Sequence, residues 1–114
     1  MKSLDLEWPL SDVPDGVSVT VMLEEEALKV RRIALKENGR IPPCRMQDDV
    51  VFVVLRGRVT FLSDGSKRDV AAPGAVYISG GAATRSIEAK EASLVLAVQC
   101  RGGAASAETG EYPG

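Results

Sequence analysis

Turn residues punctuate this chain roughly every eight to twelve positions, and the stretches between them are long enough for strands but too short for useful amphipathic helices. Val17, Val19, Val21 and Leu23 alternate with Ser18, Thr20 and Met22, the period-two pattern of a half-buried strand. Glu24-Glu25-Glu26 reads as a turn into a second strand, Leu28 to Leu35. Within that strand the apolar positions move from Leu28 and Val30 to Ile33 and Leu35, which predicts a bulge across Arg31-Arg32. Lys36 to Gly39 is a turn, and Pro42-Pro43 forces extended backbone that cannot donate to a central ladder. Val50 to Leu55 is apolar on both faces, as in a strand buried on two sides at the centre of the core. Arg56-Gly57 turns the chain into Arg58 to Leu62, Asp64-Gly65 signals a tight hairpin into Lys67 to Ala71, and Pro73-Gly74 matches the centre of a type II turn. Short strands follow at Ala75 to Ser79, Thr84 to Ala89 and Leu94 to Gln99. Many short strands without helices predict an all-β sandwich or barrel.

At 114 residues there is room for one domain, and with aromatics at only 4% the core must be built mainly from Val, Leu, Ile and Ala. We expect a barrel over 17–100, an N-terminal arm over 1–16 and a loose tail over 101–114, whose Gly, Ala, Ser, Glu and Thr carry no periodicity. In the arm, Leu4, Leu6, Trp8 and Leu10 alternate with polar residues, so it is either an edge strand or a local cap over the core. A net charge of −2 gives no excess of cations to grip phosphate backbones, so nucleic acid is not an expected partner. The longest apolar run is far short of the roughly 20 residues of a membrane span, and two cysteines with no apolar leader point to a cytoplasmic compartment. The chain has no histidine, which removes the commonest general base and the commonest metal ligand together.

The order of turns resembles the cupin family, small barrels of the jelly-roll or double-stranded β-helix type. That family's first motif runs from a glycine through His-x-His and a glutamate to a glycine six residues on. Here Gly39 stands for the first glycine, Cys44 and Met46 for the histidines, Val50 for the glutamate and Gly57 for the closing glycine. The second motif is similar to the segment Gly74 to Arg85, with Gly80 and Ala82 in place of its proline and glycine and Arg85 in place of its histidine. The resemblance covers 28–99 and implies a single-domain cupin-like barrel. All four family ligands are replaced, so no metal site and no cofactor are expected.

Valine donates nothing, and arginine stays protonated and repels cations. Cys44 and Met46 are soft sulfur groups that either fill the space of lost histidines or suit Cu(I) better than iron. No histidine is present to activate Cys44 as a nucleophile, and a Cys44–Cys100 disulfide requires Cα atoms within about 7 Å. Arg85 is the most informative residue: a buried guanidinium needs a partner, either an internal group such as Asp48, Asp49 or Glu88, or a ligand carboxylate or phosphate. Gln47, Tyr77 and Ser79 are further hydrogen-bonding candidates at the barrel mouth, while Glu24 to Glu26 and Arg31-Arg32 read as solvated faces. The leading expectation is a non-catalytic module that binds or senses a small anionic or polar ligand through Arg85, Cys44, Met46, Gln47 and Tyr77. The alternatives are a metal-dependent cupin-type dioxygenase or isomerase with unusual ligands around Cys44, Met46 and Asp49, and a purely structural homodimer. A homodimer is expected in any case, because small jelly rolls expose sheet edges.

Overall fold

Nine strands build the molecule among the described residues of this computed structural model, which are 1–8, 13, 16–44, 47–80 and 85–100. They are β1 (Val17–Glu24), β2 (Leu28–Leu35), β3 (Arg40–Cys44), β4 (Asp49–Arg56), β5 (Arg58–Ser63), β6 (Ser66–Ala71), β7 (Gly74–Ile78), β8 (Arg85–Ala89) and β9 (Ser93–Cys100). They form two antiparallel sheets, one in the order β1-β2-β9-β4-β7 and the other β3-β8-β5-β6. The strand cadence of the sequence is thus realised, and the architecture is an all-β jelly roll. The expected tail over 101–114 and the side chains of Cys44 and Met46 lie outside the described residues.

The core sits between the sheets and is chiefly aliphatic, with Leu35, Val50, Val54, Val59 and Val95 fully enclosed. The chain's two phenylalanines meet at its centre: Phe52 from β4 and Phe61 from β5 have ring centroids 5.2 Å apart in a tilted arrangement. Joining the sheets there uses the largest apolar groups available, and truncating either would cost about 3–5 kcal/mol.

Four local expectations are corrected. The predicted bulge in β2 is absent, and the register shift lies in β1 between Val21 and Leu23. β2 is continuous against β9 from Leu28 to Leu35, so the extra residue is absorbed by the edge strand, where a lost ladder bond costs less. The apolar pattern of β2 changes face because both its faces are covered. Ile33 and Leu35 face the main core, whereas Ala34 packs outside with Val13, Leu94, Trp8 and Leu55.

β4 alternates instead of being buried on both sides, with Val50, Phe52 and Val54 enclosed and Val51, Val53 and Leu55 only half-covered. The type II turn at Pro73-Gly74 is not formed. The Ala72–Pro73 peptide is cis and Gly74 is absent from the positive-φ glycines, so the turn is of the cis-proline kind. Glycine is needed at 74 for space, because a Cβ there would stand 2.7 Å from Val70 Cγ1.

Arg31-Arg32 is not a solvated face. Arg32 is 8% exposed on the outside of β2, its guanidinium 4.3 Å over the Trp8 ring and its Nη1 donating to the carbonyls of Asp5 (3.1 Å) and Glu7 (3.0 Å). Residues 1–8 form no strand, and Trp8 and Val13 pack against Ala34 and Leu94 on the outside of the sheet; Leu10 of the arm lies outside the described residues. The hairpin at Asp64-Gly65 forms with positive φ at both residues, and Pro42-Pro43 lies in edge strand β3 where its register against β8 shifts.

Candidate functional site

One end of the barrel carries a cavity of about 140 Å³ between edge strands β1 and β3, lined by Val19, Arg31, Ile33, Ile41, Phe52, Arg85, Ser86 and Ile87. Strand alternation places each contributor. Arg31 and Ile33 share the inner face of β2, Arg85 and Ile87 the inner face of β8, and Phe52 projects from β4 into the core beneath them. Two guanidiniums therefore stand in a wall that is otherwise aliphatic and aromatic apart from Ser86.

Arg85 is only 3% exposed, at the position the cupin pattern reserves for its histidine. Its Nη2 donates to the backbone carbonyl of Asp48 at 2.6 Å and to that of Ser79 at 3.2 Å. The expectation of an internal partner is met in an unexpected form, since these acceptors are main-chain oxygens and not the carboxylates proposed from the sequence. Asp48 directs its carboxylate elsewhere, Glu88 lies near Lys90 at 3.4 Å, and the Asp49 carboxylate accepts the backbone N–H of Gly80. Gly80 is the one residue type that fits there, because a Cβ would lie 2.1 Å from the carbonyl oxygen of Gln47.

Sequence reasoning missed the other half of the site. Arg31 Nη2 donates to Gln99 Oε1 at 2.8 Å, and Gln99 Nε2 donates to Asp48 Oδ2 at 2.6 Å. Gln99 is itself buried near the end of β9. The chain of contacts from Arg31 through Gln99 to Asp48 ends on the loop that Arg85 also holds. The one signal that could have found it is polar: Gln99 interrupts the apolar alternation of β9 on the face where Ala97 and Val95 enter the core.

The other sequence-based candidates are distributed differently. Cys44 is the register partner of Arg85 between β3 and β8, which brings its backbone to this end, and Met46 lies outside the described residues. Gln47 is exposed on the adjoining loop. Tyr77 is 59% exposed and belongs to a separate groove of about 310 Å³ that includes Phe61, Asp64 and Arg68, so the structure does not bring it to Arg85's cavity. Cys100 is a free, exposed thiol.

This geometry defines a jelly-roll barrel with an arginine-lined, apolar-walled cavity at one end. No protein-family model matches the chain, and no curated protein does. Solved structures match well. The chain is similar to an RmlC-like cupin protein from Desulfovibrio desulfuricans at 17% identity and a TM-score of 0.77, covering 88% of this chain and 96% of that one. It is similar to the Schizosaccharomyces pombe Cnp3 cupin domain at 14% identity and a TM-score of 0.72, covering 96% and 85%. A third likeness, to KdgF from a Halomonas species, has 19% identity and a TM-score of 0.70 over 79% and 84%. The chain has the cupin fold.

The donors that this fold usually offers a divalent cation are not matched. Val50 is an enclosed aliphatic side chain, Arg85 a fixed cation, and Asp49 is engaged by Gly80. Among the described residues no group of three or more Cys, Asp and Glu is arranged to hold a metal ion. A cation placed beside Arg85 would be repelled, so the residues present do not suit a family-type metal centre.

Proposed function

We propose that this barrel is a binding or sensing module for a small anionic or polar molecule, held in the cavity at the Arg31–Arg85 end. The single observation that carries the reading is that two guanidiniums, from β2 and β8, line one apolar-walled cavity. Arg85 is a buried cation beside aliphatic walls, costly for stability alone, and guanidinium is the side chain best shaped to grip an oxyanion. A fold by itself assigns no activity, and a barrel that presents a cation where the cupin pattern has a histidine is better suited to holding an anion than to activating oxygen or water.

The test is a thermal-shift screen of the full chain against small carboxylates, phosphates and neutral polar compounds. A ligand present at 100 times its dissociation constant adds about 2.7 kcal/mol of stability, a shift of several degrees for a domain of this size. A hit that is lost in Arg85→Met supports the reading, and a complete absence of hits removes it.

A second reading, a scaffold whose copies pair, has its own support. Val19 and Val21 are each 49% exposed on edge strand β1, and such an edge is satisfied by a second copy of the chain. Sedimentation of the wild type against Val21→Lys tests it: a dimer lost in the variant supports pairing through β1, and a wild-type monomer removes it.

A further inference from the structure

We infer that the ligand of this cavity is a short monocarboxylate with a branched or cyclic apolar body, anchored on Arg31, and that Gln99 is the positioning residue for that anchor. The inference rests on the binding-module reading and narrows it to one chemistry and one anchor.

Gln99 can be oriented in only one way. A guanidinium has donors alone and a carboxylate acceptors alone, so the amide must turn its oxygen to Arg31 and its nitrogen to Asp48, as it does at 2.8 and 2.6 Å. Clamped from both sides, the amide fixes Arg31 without neutralising it. Among the described residues Arg31 makes no direct ion pair, its link to the Asp48 carboxylate running through Gln99, and it lines the cavity. Its Nε is buried and has no acceptor among those residues. A carboxylate in the cavity meets the part of the guanidinium that lines it and supplies a countercharge there.

The walls set the remainder of the ligand. Val19, Ile33, Ile41, Phe52 and Ile87 offer no hydrogen-bonding side chain, and beside the two arginines Ser86 is the one polar side chain of the lining, so most hydroxyls of a sugar-like ligand would be buried without partners. The volume of about 140 Å³ is close to that of cavities that take a six-membered carbon ring, which limits the ligand's enclosed part to about six non-hydrogen atoms. Isovalerate and benzoate have this form, whereas inorganic phosphate has the charge without the apolar body.

The experiment measures dissociation constants of the full chain, by calorimetry, for isovalerate, benzoate, isovaleramide and inorganic phosphate. At least one of the two acids should bind, with isovaleramide and phosphate at least tenfold weaker. Arg31→Met should abolish the preference for acid over amide. Gln99→Met, which keeps the bulk but removes both hydrogen bonds, should weaken acid binding about tenfold and leave amide binding unchanged. A merely structural Gln99 would weaken both compounds alike, and that result would overturn its positioning role. Equal binding of acid and amide by the wild type, or phosphate binding as tightly as the acids, overturns the ligand class while the binding-module reading stands. If these four probes fail and other compounds of the wider screen bind, the inference again falls alone. If nothing in either set binds, both fall.

Discussion

The two ends of the barrel satisfy their polar groups by different means. At one end, where β4 turns into β5 and β8 into β9, the contacts are made by main-chain groups and one short hydroxyl side chain. Ser93 is fully buried, accepts the Arg58 N–H at 3.0 Å and donates to the Glu91 carbonyl at 2.7 Å, while Ala72 N–H donates to Gly57 O and Lys90 N–H to Arg58 O. At the other end the same work is done by long side chains reaching between strands: Arg85 to two carbonyls, Arg31 to Gln99, and Gln99 to Asp48. The first end contributes stability through neutral groups, the main chain and one hydroxyl. The second holds the buried cation Arg85, which hydrocarbon packing could replace at little cost in stability.

The largest expected effect lies at the Ser93 end. Gly57 has φ of +84°, and a Cβ there would stand 2.3 Å from Ser93 Oγ and 2.4 Å from the Ala92 carbonyl. Gly57→Ala therefore combines an unfavourable left-handed backbone with a collision against main chain, and a loss above about 3 kcal/mol is expected in a urea melt. A loss below about 1 kcal/mol would mean that this end is looser than its contacts imply. Ser93→Ala comes next: it leaves the Arg58 N–H buried without an acceptor, at about 2 kcal/mol, or a fall of about 8 °C in Tm.

Arg85→Met sharpens the contrast from the other side. The substitution removes far more of the side chain than Ser93→Ala, and it deprives the Asp48 and Ser79 carbonyls of a donor. It also relieves a buried charge, so the net change in stability is expected to stay within about 1 kcal/mol. A melt showing Arg85→Met to be more damaging than Ser93→Ala would make this arginine a structural clamp and weaken the case for a ligand beside it.

Distance along the chain decides what could be read from the sequence. Local turn chemistry is written in adjacent residues, so Arg56-Gly57, Asp64-Gly65 and the strands they separate were legible, and with them the barrel. The turn at Pro73-Gly74 differs from the type II expectation because the dipeptide suits more than one turn, and the isomer of the Ala72–Pro73 peptide has no signature in these residues. The charge of Arg85 at the barrel's inner wall was legible through the motif spacing. Its partners were not, because a backbone carbonyl has no signature in sequence. Arg31 and Gln99 are 68 residues apart and Gln99 and Asp48 are 51 apart, so no local pattern links them. The adjacent pair Arg31-Arg32 looked like one solvated patch, but strand alternation sends one guanidinium into the cavity and the other beneath Trp8.

The smallest effect concerns a carboxylate that belongs to neither end. Midway along the outer face of the β5–β6 pair, the hydroxyl of buried Thr60 donates to the carboxylate of Asp69. That hydrogen bond is the main cause of a pKa below the usual carboxylate range. Lys67, Arg58 and Lys90 add smaller pulls in the same direction, against a modest opposing cost of desolvation. A depressed native pKa means that the unfolded chain binds the proton more readily, so the contribution of ionised Asp69 is complete above the unfolded value. It is lost as pH falls from about 4 through the lower folded value. Thr60→Val removes the leading cause. The Asp69 titration, followed by NMR of its carboxyl carbon, should then move up toward the ordinary range, and its share of the acid loss of stability should shrink. An unchanged titration in Thr60→Val would assign the depression to the three cations. It would also show that a single neutral hydroxyl, which suffices to satisfy the backbone at the Ser93 end, does not govern an exposed charge.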